Sequence, residues 1–258
     1  MPAIDLSRVD RIAKGDSLNL EICVDNYESF STALKTGADR IELCSSLREG
    51  GLTPSYAFME AAMKVSTPVF MMIRPRSCDF LYTNEEIEIM HRDIHAAKKL
   101  GAPGVVFGVL TAYGQIDFPI MKSLIQEASN MEVTCHRAFD QVRDVFEALD
   151  SLIELGVKRI LTSGQAENPY DGMDMLQKVV AHAQRRVMIM AAGVTPSTVK
   201  EIILKTGVDE VHSAAATSRK SNMSYVKSEA QMGHGEDFSL NVVGGELVRG
   251  IKENMAGL

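Results

Sequence analysis

The chain has 258 residues, 45% of them apolar, and its 34 acidic and 27 basic side chains leave a net charge of −7. That balance argues against nucleic-acid or anionic-membrane partners, which require a basic patch, and the composition is neither disordered nor collagen-like. No apolar run approaches the roughly 18 residues of a membrane span, and the first 17 residues lack the apolar stretch of a signal peptide, so a cytoplasmic location is expected.

After a peripheral tail at 1–17, a domain over 18–258 alternates short β-rich runs with segments of helical period. Strands are expected at 18–24, 40–44, 69–73, 104–109, 132–136, 159–162, 187–191 and 210–213. Helices should follow at about 26–36, 55–65, 84–100, 118–128, 144–155, 173–184, 196–205 and 242–253. Such alternation implies βαβ units and a parallel sheet. Glycine recurs where a helix gives way to the next strand, at Gly37, Gly156 and Gly207. Thr53-Pro54-Ser55 and Thr195-Pro196-Ser197 read as helix starts with a capping hydroxyl before proline. Eight such units predict a single-domain (β/α)8 TIM barrel. A doubly wound sheet would carry a G-x-G-x-x-G turn after its first strand, where this chain has Asp25-Asn26-Tyr27. The longest connection, 214–241, is polar and is expected to form a loop over the barrel mouth.

In such a barrel, chemistry sits at the C-terminal ends of the strands. The first two strands carry nearly the same tetrapeptide, Leu20-Glu21-Ile22-Cys23 and Ile41-Glu42-Leu43-Cys44. If the aliphatic members face the helices, Glu21, Cys23, Glu42 and Cys44 face the barrel axis. Neighbouring strands lie about 4.8 Å apart, so Cys23 and Cys44 could span one soft ion. Two sulfurs suit linear Cu(I) better than four-coordinate zinc; plain core packing is the competing reading. The third strand ends in Arg74-Pro75-Arg76 with Asp79 behind it, fork donors suited to carboxylate or phosphate. The fifth ends in His136-Arg137 with Asp140 behind, the sixth in Ser163, and the eighth contains His212. Together Arg74, Arg76, Asp79, His136, Arg137, Asp140, Ser163 and His212 form the expected anion- or substrate-binding set, separate from the thiol pair. Arg74, Arg76, His136, Asp140 and His212 are expected to converge on one cavity. Glu21, Glu42, His136 and His212 are the candidate proton carriers. The small loops after the last two strands could present N–H groups to a phosphate. A salt-bridged barrel lining is the alternative to a functional mouth. His91 and His95 have helical i,i+4 spacing without the glutamate of H-E-x-x-H, and the methionine runs read as core.

The runs LEICVD, GADRIELCS, EGGLTPS, PVFMMIRPR, DFLY, GVVFGVLTAYGQID, TCHRAFD, RILTSGQ and EVHSAA, in that order from Leu20 to about residue 214, resemble the TIM-barrel CutC copper-homeostasis family. The resemblance implies cytoplasmic and also nuclear residence, homo-oligomers, and copper(I) bound by thiols mapping onto Cys23 and Cys44. It supplies no reaction, so two functions stand: a Cu(I)-binding homeostasis protein, or a barrel enzyme acting on a small anionic metabolite. Three departures from the family pattern stand out. Ser77-Cys78 replaces the usual Gly-Gly, Met190-Ala191-Ala192-Gly193 is poorer in glycine, and Tyr225-Val226-Lys227 lacks the usual Arg-Asn.

Overall fold

A parallel sheet covered outside by helices and closed on itself inside must bury both faces of every strand, and nearly all strand residues here are buried. The computed structural model describes residues 18–227, 229–230 and 237–258; the expected tail lies outside them. The strands are β1 (Asn19–Val24), β2 (Arg40–Leu43), β3 (Val69–Met72), β4 (Gly104–Phe107), β5 (Glu132–Cys135), β6 (Arg159–Thr162), β7 (Met188–Ala192) and β8 (Glu210–Ser213). They close in sequence order into a barrel, with β1 pairing both β2 and β8 in parallel. The helices are α1 (Tyr27–Thr36), α2 (Tyr56–Ala62), α3 (Asn84–Lys99), α4 (Phe118–Ala128), α5 (Val145–Glu154), α6 (Met173–Ala183), α7 (Val199–Thr206) and α8 (Gly245–Met255). The expected TIM barrel is present.

Local chemistry explains the element ends. Asn26 caps α1 by accepting from Ser29 N at 2.9 Å, and Thr83 and Glu86 form a reciprocal capping box on α3. Gly37 ends α1 at φ +92°, a left-handed conformation that a Cβ would strain. The expected Thr53-Pro54 start of α2 is displaced. Ser55 is the cap, because Thr53 is engaged by the end of β3, its Oγ1 accepting from Arg74 N at 3.0 Å.

Strand parity divides the core. Leu20, Ile22, Ile41 and Leu43 point outward and are fully buried against the helices, each contributing about 1.5–3 kcal/mol. The inward positions of the lower barrel hold charge. Arg40 pairs with Glu21 and Glu210, and Arg159 with Glu210 at 3.2 Å and Glu132 at 2.8 Å. Both guanidinium carbons sit over the Phe70 ring, 5.1 and 5.0 Å from its centre. A salt-bridged lining therefore does exist, one layer below the mouth.

Within the segment read as a mouth loop, the described residues include an antiparallel ribbon, β9 (Ala216–Lys220) with β10 (Ser239–Val243). It lies against the start of α1: Val243 N donates to Ser29 Oγ at 3.0 Å and Asn26 Nδ2 to Asn241 O at 3.0 Å. No described helix is long and apolar enough to cross a membrane.

Candidate metal and anion sites at the barrel mouth

Closure of β8 onto β1 sets Glu21 opposite His212, and pairing of β1 with β2 sets Cys23 opposite Glu42. All four side chains point inward and are buried. His212 Nδ1 lies 2.7 Å from Glu21 Oε1, while its Nε2 lies 3.9 Å from Glu42 Oε2. One ligand atom each from Cys23, Glu42 and His212 lie within 4.8 Å of one another. Cys44 is outside that triad but adjoins it, donating from Sγ to Glu42 Oε2 at 3.5 Å. Gly51, at φ +85°, packs over Cys44; a Cβ there would stand 3.1 Å from the sulfur.

Burial and charge set distinct protonation states. Burial opposes the Glu21 carboxylate, but Arg40 and His212 outweigh it and hold its pKa down at about 2. Glu42 lacks an arginine bond, and burial pushes it up to about 7. Burial raises both thiols; His212 partly offsets it at Cys23, whereas at Cys44 the adjoining Glu42 adds to it. Burial also works against a charged His212, yet the facing Cys23, Glu21 and Glu42 hold its proton on. Without metal the site is a glutamate–imidazolium pair beside two neutral thiols and a carboxyl that titrates near neutrality.

Of the five residues expected in one cavity, Arg74 and His136 do meet, across the Phe80 ring, while His212, Asp140 and Arg76 belong to other networks. His212 stands with the thiols rather than with the arginines, because its strand closes the barrel against β1. Asp140 faces the end of β6. Its oxygens accept from Thr162 Oγ1 at 2.5 Å, Ser163 N at 3.1 Å, Gln165 N at 3.0 Å and Arg137 Nε at 2.8 Å. Arg137 also donates to Ser163 Oγ at 2.6 Å, so these three residues brace β5 to β6. Asp140→Asn should cost about 2 kcal/mol, since one oxygen becomes a donor facing donors; a urea midpoint unchanged from wild type would show the brace to be dispensable. Arg76 is half exposed and its guanidinium is taken up by Asp79 at 3.0 Å and Glu86 at 2.7 Å.

Arg74 is buried, donating to the carbonyls of Glu49, Gly51 and Cys78. Cys78 takes φ +77°, a left-handed angle that glycine adopts without strain and cysteine does not. His136 Nδ1 accepts from Ala138 N at 3.2 Å, and burial, then Arg74, push its pKa down to about 3. In the loops after β7 and β8, three of the N–H groups are turned inward to the protein's own acceptors. Gly193 N and Val194 N donate to His212 O, and Ala215 N to Ser213 Oγ. His91 and His95 lie apart from each other's partners, on Ser123 and Glu127 across α3 and α4.

Sequence reasoning missed Arg40, Arg159 and Glu210 as barrel lining and Phe80 and Tyr82 as neighbours of Arg74. Parity carried the first signal: in Glu210-Val211-His212, an outward valine puts both flanking groups inward.

A family model for the CutC family matches residues 18–217. A CutC family protein from Vibrio vulnificus (strain CMCP6) is 48% identical over 239 residues, covering 90% of this chain and 96% of that relative. One from Photobacterium profundum is 47% identical over 239 residues, covering 91% and 98%. Among solved structures, a protein named for copper homeostasis, CutC from Streptococcus agalactiae, superposes with a TM-score of 0.73 at 32% identity, covering 76% of this chain and 98% of that one. With the barrel, the matched length and these identities in agreement, the chain belongs to the CutC family.

Proposed function

We propose that the chain is a copper homeostasis protein that takes Cu(I) as cargo at the barrel mouth. Cys23, Cys44 and His212 would supply the donors. The observation that carries this reading is the buried triad of Cys23, Glu42 and His212, mutually within 4.8 Å, with the Cys44 thiol on the same Glu42 carboxylate. Thiolate and imidazole are soft to intermediate ligands that favour Cu(I) over hard cations. Glu21 fixes the ring of His212 from behind, as outer carboxylates fix metal-binding histidines. The four free thiols suit a reducing compartment such as the cytoplasm.

Because both thiols are held protonated, cargo must displace their protons, and His212 must lose its own to ligate. Affinity should therefore rise with pH, by about tenfold per unit for each proton displaced. The test is an anaerobic Cu(I) titration against a competing chelator at several pH values. Cys23→Ser and Cys44→Ser should each weaken binding at least about tenfold, a hard hydroxyl replacing a soft thiolate. Unchanged stoichiometry and affinity in the double variant would refute the site.

A second reading, a barrel enzyme acting on a small anionic metabolite, is favoured by one observation. Two carboxylates facing one histidine have been pushed apart, Glu21 to about 2 and Glu42 to about 7, the pattern by which one fold assigns a permanent anion and an exchangeable proton.

A further inference from the structure

Three arginines in the barrel are equally buried, and two have evident counter-charges. Arg40 and Arg159, 5% and 4% exposed, each face two carboxylates. Arg74, also 5% exposed, has no carboxylate within 4.0 Å among the described residues. Its Nη atoms donate to backbone carbonyls at 2.7, 3.1 and 2.9 Å, and its Nε has no partner. Buried charges are ordinarily paired, because desolvation is costly without a counter-ion.

Two further orphaned groups stand beside it. The Tyr82 hydroxyl, on a residue 8% exposed, makes no hydrogen bond of normal geometry and lies beside the Arg74 guanidinium, to which its oxygen can offer a lone pair while its hydrogen stays without an acceptor. His136 Nε2 is likewise buried and unpartnered. Since His136 Nδ1 accepts from Ala138 N, the neutral ring carries its hydrogen on Nε2, making that atom a donor. Phe80 ties the group together, its ring centre 5.1 Å from the Arg74 guanidinium carbon and 4.8 Å from the imidazole centre. A cation with no anion, the buried His136 Nε2–H and the Tyr82 hydroxyl hydrogen, both without an acceptor, thus share one corner of the mouth, between the ends of β3 and β5.

We propose that Arg74, Tyr82 and His136 form a binding site for a small organic monocarboxylate, distinct from the copper site. The charge selects the class. Arg74 contributes one positive charge and His136 none, so a monoanion is neutralised where a phosphate dianion is left in excess.

The test uses the full copper-free chain, with acetate and pyruvate as probes and inorganic phosphate as the contrast. In 15N-histidine spectra the His136 Nε2–H resonance should shift saturably with a carboxylate, and phosphate should bind at least about tenfold more weakly. By calorimetry, Tyr82→Phe and Arg74→Gln should each weaken carboxylate binding about fivefold or more. Arg74 also clamps two loops, so if Arg74→Gln does not fold, Tyr82→Phe decides, because it leaves the clamp intact. Cys23→Ser/Cys44→Ser should bind the carboxylates as wild type does, and Tyr82→Phe should bind Cu(I) unchanged; failure of the copper reading therefore leaves this one standing. No saturable response to either acid, a preference for phosphate, or undiminished binding by Tyr82→Phe would each overturn the proposal. Loss of carboxylate binding in the double serine variant would also overturn it, by showing one shared site.

Discussion

Arg40→Leu is expected to lower folding stability by about 3–5 kcal/mol, the usual consequence of removing one partner from a buried ionic cluster. At this chain length that is a fall in Tm of roughly 10 °C. The cause is specific. Arg40 bonds Glu21 and Glu210 together, donates to Met190 Sδ at 3.3 Å and lies over Phe70. Leucine would fill part of the space but strand two buried carboxylates, Glu21 then held by His212 alone and Glu210 by Arg159 and, at 3.4 Å, by the neutral Asn19 amide. Acid sensitivity should change with it. Glu21 has its pKa depressed to about 2 from 4.5. The stability it contributes is complete above 4.5 and disappears as pH falls through about 2. Without Arg40 that loss should begin nearer neutrality. Urea unfolding of the metal-free variant checks both effects, and a midpoint equal to wild type at pH 7 would show that water reaches and screens this layer.

Glu42→Gln should have the opposite sign and a different pH signature. Glu42 has its pKa raised to about 7 from 4.5. Between those values the folded state keeps a proton that the unfolded chain has released, so stability falls as pH rises through the window and stays reduced above it. The full difference is about 3 kcal/mol, from roughly 1.4 kcal/mol per pKa unit. Glutamine cannot ionise, so the variant should gain stability relative to wild type between pH 4 and pH 8 by about that amount. The readout is the change in the wild-type-to-variant gap, which cancels any constant cost of the amide. A gap that does not vary with pH would mean that Glu42 titrates in the folded protein as it does in the unfolded chain.

The barrel was readable because its signals are local. Each strand is a short β-rich run with aliphatic residues on its outer face, and the joints at Gly37, Gly156 and Gly207 adopt φ of +92°, +76° and +71° as their glycines suggested. Strand parity also put Cys23 and Cys44 on the inner face before any coordinates. Partnership was not readable, because it depends on which strands meet at closure. His212 joins Cys23 only through the β1–β8 seam, and Asp140 turns toward β6 only because the turn at Arg137–Gln141 aims it there. The arginines illustrate the limit. Arg40, Arg74, Arg76 and Arg159 look alike in sequence, yet two are salt-bridged lining, one is a half-exposed surface pair, and one is buried beside orphaned donors. The β9–β10 ribbon was missed because β9 is mostly polar and exposed, and the short apolar end of β10 runs straight into the pattern of the last helix.

The seam between the first and last strands gives the mouth a date in the life of the chain. Glu21 and His212 are 191 residues apart. At ribosomal speeds of about 5–20 residues per second, Cys23 is made roughly 10–40 s before the histidine that completes its triad. During that interval the two cysteines belong to an open, unsealed sheet, without the imidazole or the buried setting that keeps their thiols protonated. The finished site is thus a checkpoint on synthesis: only a chain translated through its eighth strand can assemble it, and a truncated product carrying both cysteines cannot.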